Sequence, residues 1–197
     1  MKNQDGDIKR WEENVRDKYL EGFTPRIQRD IDLVEETEEF QSDLIKLRSG
    51  SSLLIVGGVG CGKTLYASKL ALSCMRQTFF ERGGLRNFCF ETVPKLLNEI
   101  RDSFDNTEIR SEEVINKYLE ADLLILDDLG VEKVTPWVLQ TLYIIVNDRY
   151  EYLKPTIFTS NLSGGEMADK FDDDRIPSRI VGMCNIRHLG NKDRRIK

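Results

Sequence analysis

The segment Gly57-Gly58-Val59-Gly60-Cys61-Gly62-Lys63-Thr64 fits the pattern G-x-x-x-x-G-K-[ST] without exception. Each residue type has a physical reason. A helix N-terminus presents unpaired backbone N–H groups and the positive end of its dipole, a ready site for phosphate. Glycines let the backbone curl around a β-phosphate with no side chain in the way. Lys63 supplies a point charge for the β- and γ-phosphates, and Thr64 offers a hydroxyl to Mg²⁺. Leu65, the next residue, is counted with the loop. The chemistry implied is binding of a nucleoside triphosphate, ATP with Mg²⁺. A chance glycine-rich turn would lack the strand before it and the helix after it, and both are legible here.

Two further groups of residues could act on that nucleotide. Leu123-Leu124-Ile125-Leu126-Asp127-Asp128 is an apolar run ending in two carboxylates, the Walker-B arrangement. Asp127 at the strand tip is placed to hold Mg²⁺ through water, and Asp128 to orient or deprotonate an attacking water. Thr159-Ser160-Asn161 ends the next apolar run, where the Asn161 amide suits a hydrogen bond to a γ-phosphate or to the lytic water. Arg175 and Arg179 stand four apart and share one face of a helix. Two such arginines are ordinarily solvated, but an arginine finger reaching into a neighbouring subunit's ATP site is the functional reading, and it requires an oligomer.

The elements that position these residues alternate. A helix is expected from Thr24-Pro25, with threonine as cap and proline in the first turn, running towards Leu47 and stopping at Arg48-Ser49-Gly50. Strands are expected at 52–56, 87–91, 122–126, 156–159 and 185–189. Helices are expected at 63–77, 93–104, 114–119, 135–152, 164–170 and 176–181, with 105–113 as a polar loop. Short apolar strands alternating with helices predict an α/β fold with a mostly parallel sheet and right-handed crossovers. Residues 1–25 are read as an N-terminal extension that could bind a partner, and 26–197 as the ATPase domain.

The chain has 197 residues, 40% hydrophobic and 32% charged, which suits one globular domain. No apolar run approaches a membrane span and the N-terminus has no signal-like apolar region, so a cytoplasmic protein with no membrane partner is expected. Cys61, Cys74, Cys89 and Cys184 show no metal-ligand spacing, and His188 is the lone histidine, so reduced thiols are expected. The net charge of −5 excludes a globally basic nucleic-acid binder. Charge is uneven, however. The stretch 30–43 is acidic, and Arg175–Lys197 is basic, either a solvated face with a loose tail or a local anion-binding surface.

Taken in order, WEENVRDKYLEGFTP at 11–25, the phosphate loop, LLILDDLG at 123–130, TSNL at 159–162, DRIPSRIVGMC at 174–184 and LGNKDRR at 189–195 resemble the DnaC/DnaI/IstB branch of AAA+ ATPases. The resemblance implies a P-loop NTPase AAA+ core, a five-stranded parallel sheet of order 5-1-4-3-2 with helices on both faces. It implies a helicase loader that binds ATP and single-stranded DNA, self-assembles and assists the replicative helicase, or an IstB-like helper of a transposase. Mapped by motif, Lys63 and Thr64 are the phosphate and Mg²⁺ contacts, Asp127 the Walker-B ligand, Asn161 sensor 1 and Arg179 the arginine finger, with Arg175 second. Relatives often place glutamate where Asp128 stands. Aspartate is one methylene shorter, which implies slow hydrolysis or a differently placed water. The extra N-terminal domain with which loaders grip the helicase is expected to be missing, replaced or outside this sequence, and no C-terminal lid domain is expected. A sensor-2-like arginine would come from Arg194 or Arg195.

Three other readings stand beside the loader. A transposition helper shares every motif. A nucleotide-gated adaptor with little turnover is compatible with Asp128. A small-molecule kinase is disfavoured by the lack of an arginine-rich lid and by the SNL and SRI segments. For DNA contact, Arg101, Lys117 and the C-terminal basic residues are the candidates, combined with aromatic stacking.

Overall fold

The computed structural model describes residues 15–82, 87–104 and 111–190. Five strands form one sheet: β1 (Ser52–Val56), β2 (Phe88–Thr92), β3 (Leu123–Leu129), β4 (Thr156–Ser160) and β5 (Cys184–His188). All pairings are parallel and the order is 5-1-4-3-2, as the resemblance implied. β1 and β4 are buried along their whole length; in β1 this gives the unbroken apolar run 53–56, whereas β4 also buries the hydroxyls of Thr156, Thr159 and Ser160.

Successive side chains point to opposite faces and so feed two cores. On one face Leu53, Ile55, Leu123, Ile125 and Ile157 pack against helices that precede or follow β1. These are α1 (Arg16–Leu20), α2 (Pro25–Asp30), a 3₁₀ turn (Ile31–Leu33), α3 (Glu38–Arg48) and α4 (Lys63–Arg82). On the other face Leu54, Val56, Leu124, Leu126 and Phe158 pack against the remaining helices. These are α5 (Val93–Phe104), α6 (Ser111–Leu119), α7 (Pro136–Glu151), α8 (Gly164–Phe171) and α9 (Arg175–Met183). No helix among the described residues is long and apolar enough to cross a membrane.

The helix expected from Thr24 to Leu47 is broken. Thr24 does precede a helix with proline in its first turn, but α2 tightens into the 3₁₀ turn and ends. A new helix then starts at Thr37, whose hydroxyl accepts from Phe40 N–H at 3.3 Å. The expected stop holds. Gly50 (φ 92°) donates to the Leu47 carbonyl and Ser51 to Lys46, the pattern of a Schellman cap. α6 begins at Ser111, inside the stretch expected to be loop; residues 105–110 lie outside the described residues. Leu20 and Phe23, from the expected extension, are buried, and Phe23 packs its ring on Phe88 and Phe90 at centroid distances of 5.1 and 5.5 Å.

A fully buried guanidinium stiffens the edge of this fold. Arg149 on α7 donates through Nε to Thr156 Oγ1 (2.7 Å) and through its terminal nitrogens to the carbonyls of Tyr118, Leu119, Ala121 and Pro155. It thereby ties the chain entering β3 to the chain entering β4. Desolvation pulls its pKa down to about 10.

Candidate functional site

The loop from Gly57 to Gly62 leaves β1 at its C-terminal end and runs into α4 at Lys63. Gly60 (φ 75°) and Gly62 (φ 101°) occupy backbone conformations that other residues adopt at a cost. A Cβ on Gly57 would lie 2.7 Å from the Leu189 carbonyl oxygen and 2.9 Å from Cys61 Sγ. Val59 is exposed at the loop tip and Cys61 is buried. Lys63 is buried too, and its ammonium is fully engaged. It donates to the carbonyls of Gly57 (3.0 Å) and Gly58 (2.8 Å) and to Asn161 Oδ1 (2.6 Å). Thus the phosphate-loop lysine and the strand-end amide, remote in sequence, meet in space.

Asp127 completes the set. Its Oδ2 accepts from Thr64 Oγ1 at 3.0 Å and its Oδ1 from Thr159 Oγ1 at 2.6 Å. Burial pushes the Asp127 carboxyl up to about 6, and the Asp128 charge adds to this; the Thr159 and Thr64 hydroxyls and the Lys63 ammonium pull it down.

The geometry of Asp128 follows from a bulge. Pairing between β3 and β4 runs Leu126 to Phe158 and then Leu129 to Ser160, so Asp127 and Asp128 stand opposite Thr159 alone. Asp128 takes a left-handed conformation (φ 59°), which aspartate tolerates better than most residues. Its N–H donates to Thr159 Oγ1 at 3.0 Å; the residue is half-buried, and its charge acts on the Asp127 carboxyl. Thr159 therefore holds both carboxylate residues at once. No role for it was legible in sequence; the only signal was its place at the tip of a strand adjacent to β3.

A hydroxyl and a carboxylate side by side at a helix N-terminus form an all-oxygen donor set suited to Mg²⁺ that keeps water and phosphate ligands. The glycine cradle suits a nucleotide phosphate. Among the described residues no group of three or more His, Cys, Asp or Glu side chains could hold a metal by itself. The four cysteines are free thiols.

Arg175 and Arg179 lie on one face of α9, away from this set. Both guanidinium groups cover the Tyr143 ring of α7, at 5.3 and 4.9 Å from its centroid. Arg179 also donates to Asn147 Oδ1 (2.6 Å) and to the Tyr143 hydroxyl (3.2 Å), and Arg175 pairs with Asp173 (2.6 Å). Within the chain neither arginine bonds to Lys63, Thr64, Asp127 or Asn161.

The basic stretch that begins at Arg175 is not a free anion-binding surface throughout. Arg187 on β5 makes a two-pronged pair with buried Asp43 of α3 (2.6 and 2.9 Å), and Tyr66 donates to the same carboxylate at 3.0 Å. Lys117 pairs with Glu99 at 2.9 Å. Arg101 lies over the Trp137 ring at 5.5 Å, next to exposed Phe104. Lys192, Arg194, Arg195 and Lys197 lie outside the described residues.

Known proteins resemble this chain in both sequence and fold. The family profile described as IstB-like ATP binding protein matches residues 16–197. The replicative helicase loader DnaI of Bacillus subtilis is 24% identical over 140 residues, which are 71% of this chain and 42% of DnaI. The chain spans about half the length of the curated relatives it matches, from 42 to 56%. A crystal structure of the DnaC helicase loader superposes with a TM-score of 0.67 at 23% identity, covering 84% of this chain and 99% of that one. The replication initiator DnaA bound to AMPPCP and single-stranded DNA superposes with a TM-score of 0.61 at 22% identity, covering 84% of this chain and 50% of DnaA. At these identities the superpositions show the fold alone.

Proposed function

The chain belongs to the IstB-like ATP-binding protein family, and from that premise we propose that it is a Mg²⁺-dependent ATPase that assists a replicative helicase on single-stranded DNA. The observation that carries this reading is the hydrogen-bonded set Lys63–Asn161 and Thr64–Asp127–Thr159. In this reading Lys63 is the phosphate cation, Thr64 and Asp127 are the metal-ligand pair and Asn161 is the γ-phosphate sensor, all at the C-terminal ends of the central strands. Lys63 would exchange its carbonyl partners for phosphate oxygens while Asn161 stays within reach of the terminal phosphate. Thr64 and Asp127 would hold Mg²⁺, which supplies charge neutralisation on the phosphates. Asp128, set beside them by the bulge, orients the attacking water and accepts its proton.

Arg179, with Arg175 beside it, would complete the site of the next subunit in an assembly. Two tyrosine–arginine stacks and the Asn147 bond hold it at the α7–α9 surface, which limits the rotamer freedom lost when it engages a partner. Single-stranded DNA would stack on Phe104 and Trp137 with Arg101 beside them, a combination of base-stacking rings and a cation. Support for these partners comes from DnaI, a replicative helicase loader, and from DnaA, bound to single-stranded DNA in its structure. In this account the protein works in the cytoplasm.

A second reading is an ATPase that serves a transposase, the role that the resemblance to IstB implies. The discriminating experiment is retention of purified replicative helicase by the immobilised protein, with ATP or ADP, for wild type and Lys63→Ala. Helicase retained by wild type in one nucleotide state, and lost in Lys63→Ala, supports the loader. No retention in any state removes it and leaves the transposase reading.

A further inference from the structure

The turn that carries Asp128 is gripped residue by residue. Thr159 takes the Asp127 carboxylate and the Asp128 N–H. Ser160 Oγ donates to the Leu129 carbonyl at 2.6 Å and accepts from Leu162 N–H at 3.0 Å. Gly130 is held from both ends of its peptide units. Its N–H donates to Glu132 Oε2 at 3.0 Å, and its carbonyl accepts from the Lys170 ammonium. Gly130 has φ 91°, and a Cβ there would lie 2.8 Å from Leu162 Cδ1, so the Asn161-Leu162 segment closes over it.

Two features mark this as more than loop packing. Glu132 is buried, and its Oε1 makes no hydrogen bond among the described residues, an uncompensated cost that a merely structural position would be expected to shed. Lys170 reaches back from α8, a helix fixed by a Ser163–Glu166 capping box and by fully buried Met167 and Phe171. The grip therefore connects the carboxylate turn to a rigid element whose cap, Ser163, stands two residues after Asn161.

We propose that Lys170 and Glu132 are positioning residues that clamp the Gly130 peptide and thereby set the Asp128 carboxylate against the attacking water. The inference rests on Asp128 being the group that activates water. It assigns neither Lys170 nor Glu132 a contact with nucleotide. Their loss therefore affects the chemical step and not ATP binding, since small misplacements of a reacting group cost large factors in rate.

The test uses the full chain with Mg²⁺, ATP and single-stranded DNA, reading kcat and KM, together with equilibrium binding of a fluorescent ATP analogue. Lys170→Met and Glu132→Leu should lower kcat by about 10- to 100-fold with nucleotide affinity within about twofold of wild type. Lys170→Arg should restore most of the rate. Lys170 is solvent-exposed, so its variants should fold; Lys170→Gln provides a second non-bonding replacement, and circular dichroism checks each protein. Asp128→Asn separates the two claims. Full hydrolysis by Asp128→Asn overturns the reading on which the clamp rests. An inactive Asp128→Asn beside folded Lys170→Met and Glu132→Leu proteins with wild-type kcat overturns the clamp alone. Parallel loss of affinity and kcat in the clamp variants marks a structural role and also overturns it.

Discussion

Replacing Thr159 with valine removes one hydroxyl and little volume, yet it should unsettle two site residues. Thr159 is fully buried, and its Oγ1 donates to Asp127 Oδ1 at 2.6 Å while accepting from Asp128 N–H at 3.0 Å. Loss of a hydrogen bond to a charged acceptor costs about 1.5–3 kcal/mol, and a buried N–H left unpaired about 1–3 kcal/mol. The two terms share one atom and are not additive, and Asp127 keeps Thr64 on its other oxygen. A net loss of about 2–4 kcal/mol is expected. For a domain of this size that lowers Tm by roughly 5–15 °C. Thr159→Ser, which keeps the hydroxyl, should stay within about 1 kcal/mol of wild type. The assays are thermal unfolding followed by near-ultraviolet circular dichroism and steady-state ATP hydrolysis. An unchanged Tm in Thr159→Val would refute the claim that this hydroxyl holds the carboxylate pair. A lowered Tm with unchanged hydrolysis would restrict it to folding.

Three further outcomes follow from particular contacts. Arg149→Met should destabilise by about 3–5 kcal/mol in urea unfolding, because several buried carbonyls lose their donor together. Arg149→Lys should recover only part, since an ammonium cannot match the planar fork. Arg187→Met leaves Asp43 buried with a tyrosine hydroxyl and a distant lysine, and should cost about 3–5 kcal/mol, with faster hydrogen exchange along α3. Phe104→Ala should weaken single-stranded DNA binding by about 1–3 kcal/mol in fluorescence anisotropy while leaving ATP affinity unchanged.

The readability of this molecule varied with the range of the interactions involved. The phosphate loop was legible because its chemistry constrains consecutive residues: glycines for φ 75° and 101°, a lysine and a threonine opening the helix. Asp127 was legible as a carboxylate at the end of an apolar strand. Strand bounds agree within a residue except that β3 runs three residues past the expected 126, whereas the sheet order rests on resemblance, because a parallel strand carries no mark of its neighbour. The 24–47 segment reads as one helix because its apolar spacing continues across the break, and the Thr37 cap carries weight only once Phe40 is known to pack. The contacts least visible in the sequence join distant positions. Arg187 looks like one of a basic series until Asp43, 144 residues earlier, is seen against it. Arg149 looks like a surface residue near a helix end, and Thr159 like part of a turn. The bulge that pairs Thr159 with both carboxylates arises from strand pairing and has no local signature.

The central claim is that the site is composite, with Asp128 acting in its own subunit and Arg179 in the next. Mixing two inactive variants tests it most directly. Asp128→Asn retains Arg179, and Arg179→Ala retains an intact set of Lys63, Thr64, Asp127, Asp128 and Asn161. Each alone should bind ATP and hydrolyse it poorly. Mixed at equal concentration with Mg²⁺ and single-stranded DNA, Asp128→Asn subunits should lend Arg179 to Arg179→Ala sites, and hydrolysis should rise well above the sum of the two. A mixture no more active than that sum would contradict the account and leave Arg179 as a residue of the α7–α9 packing.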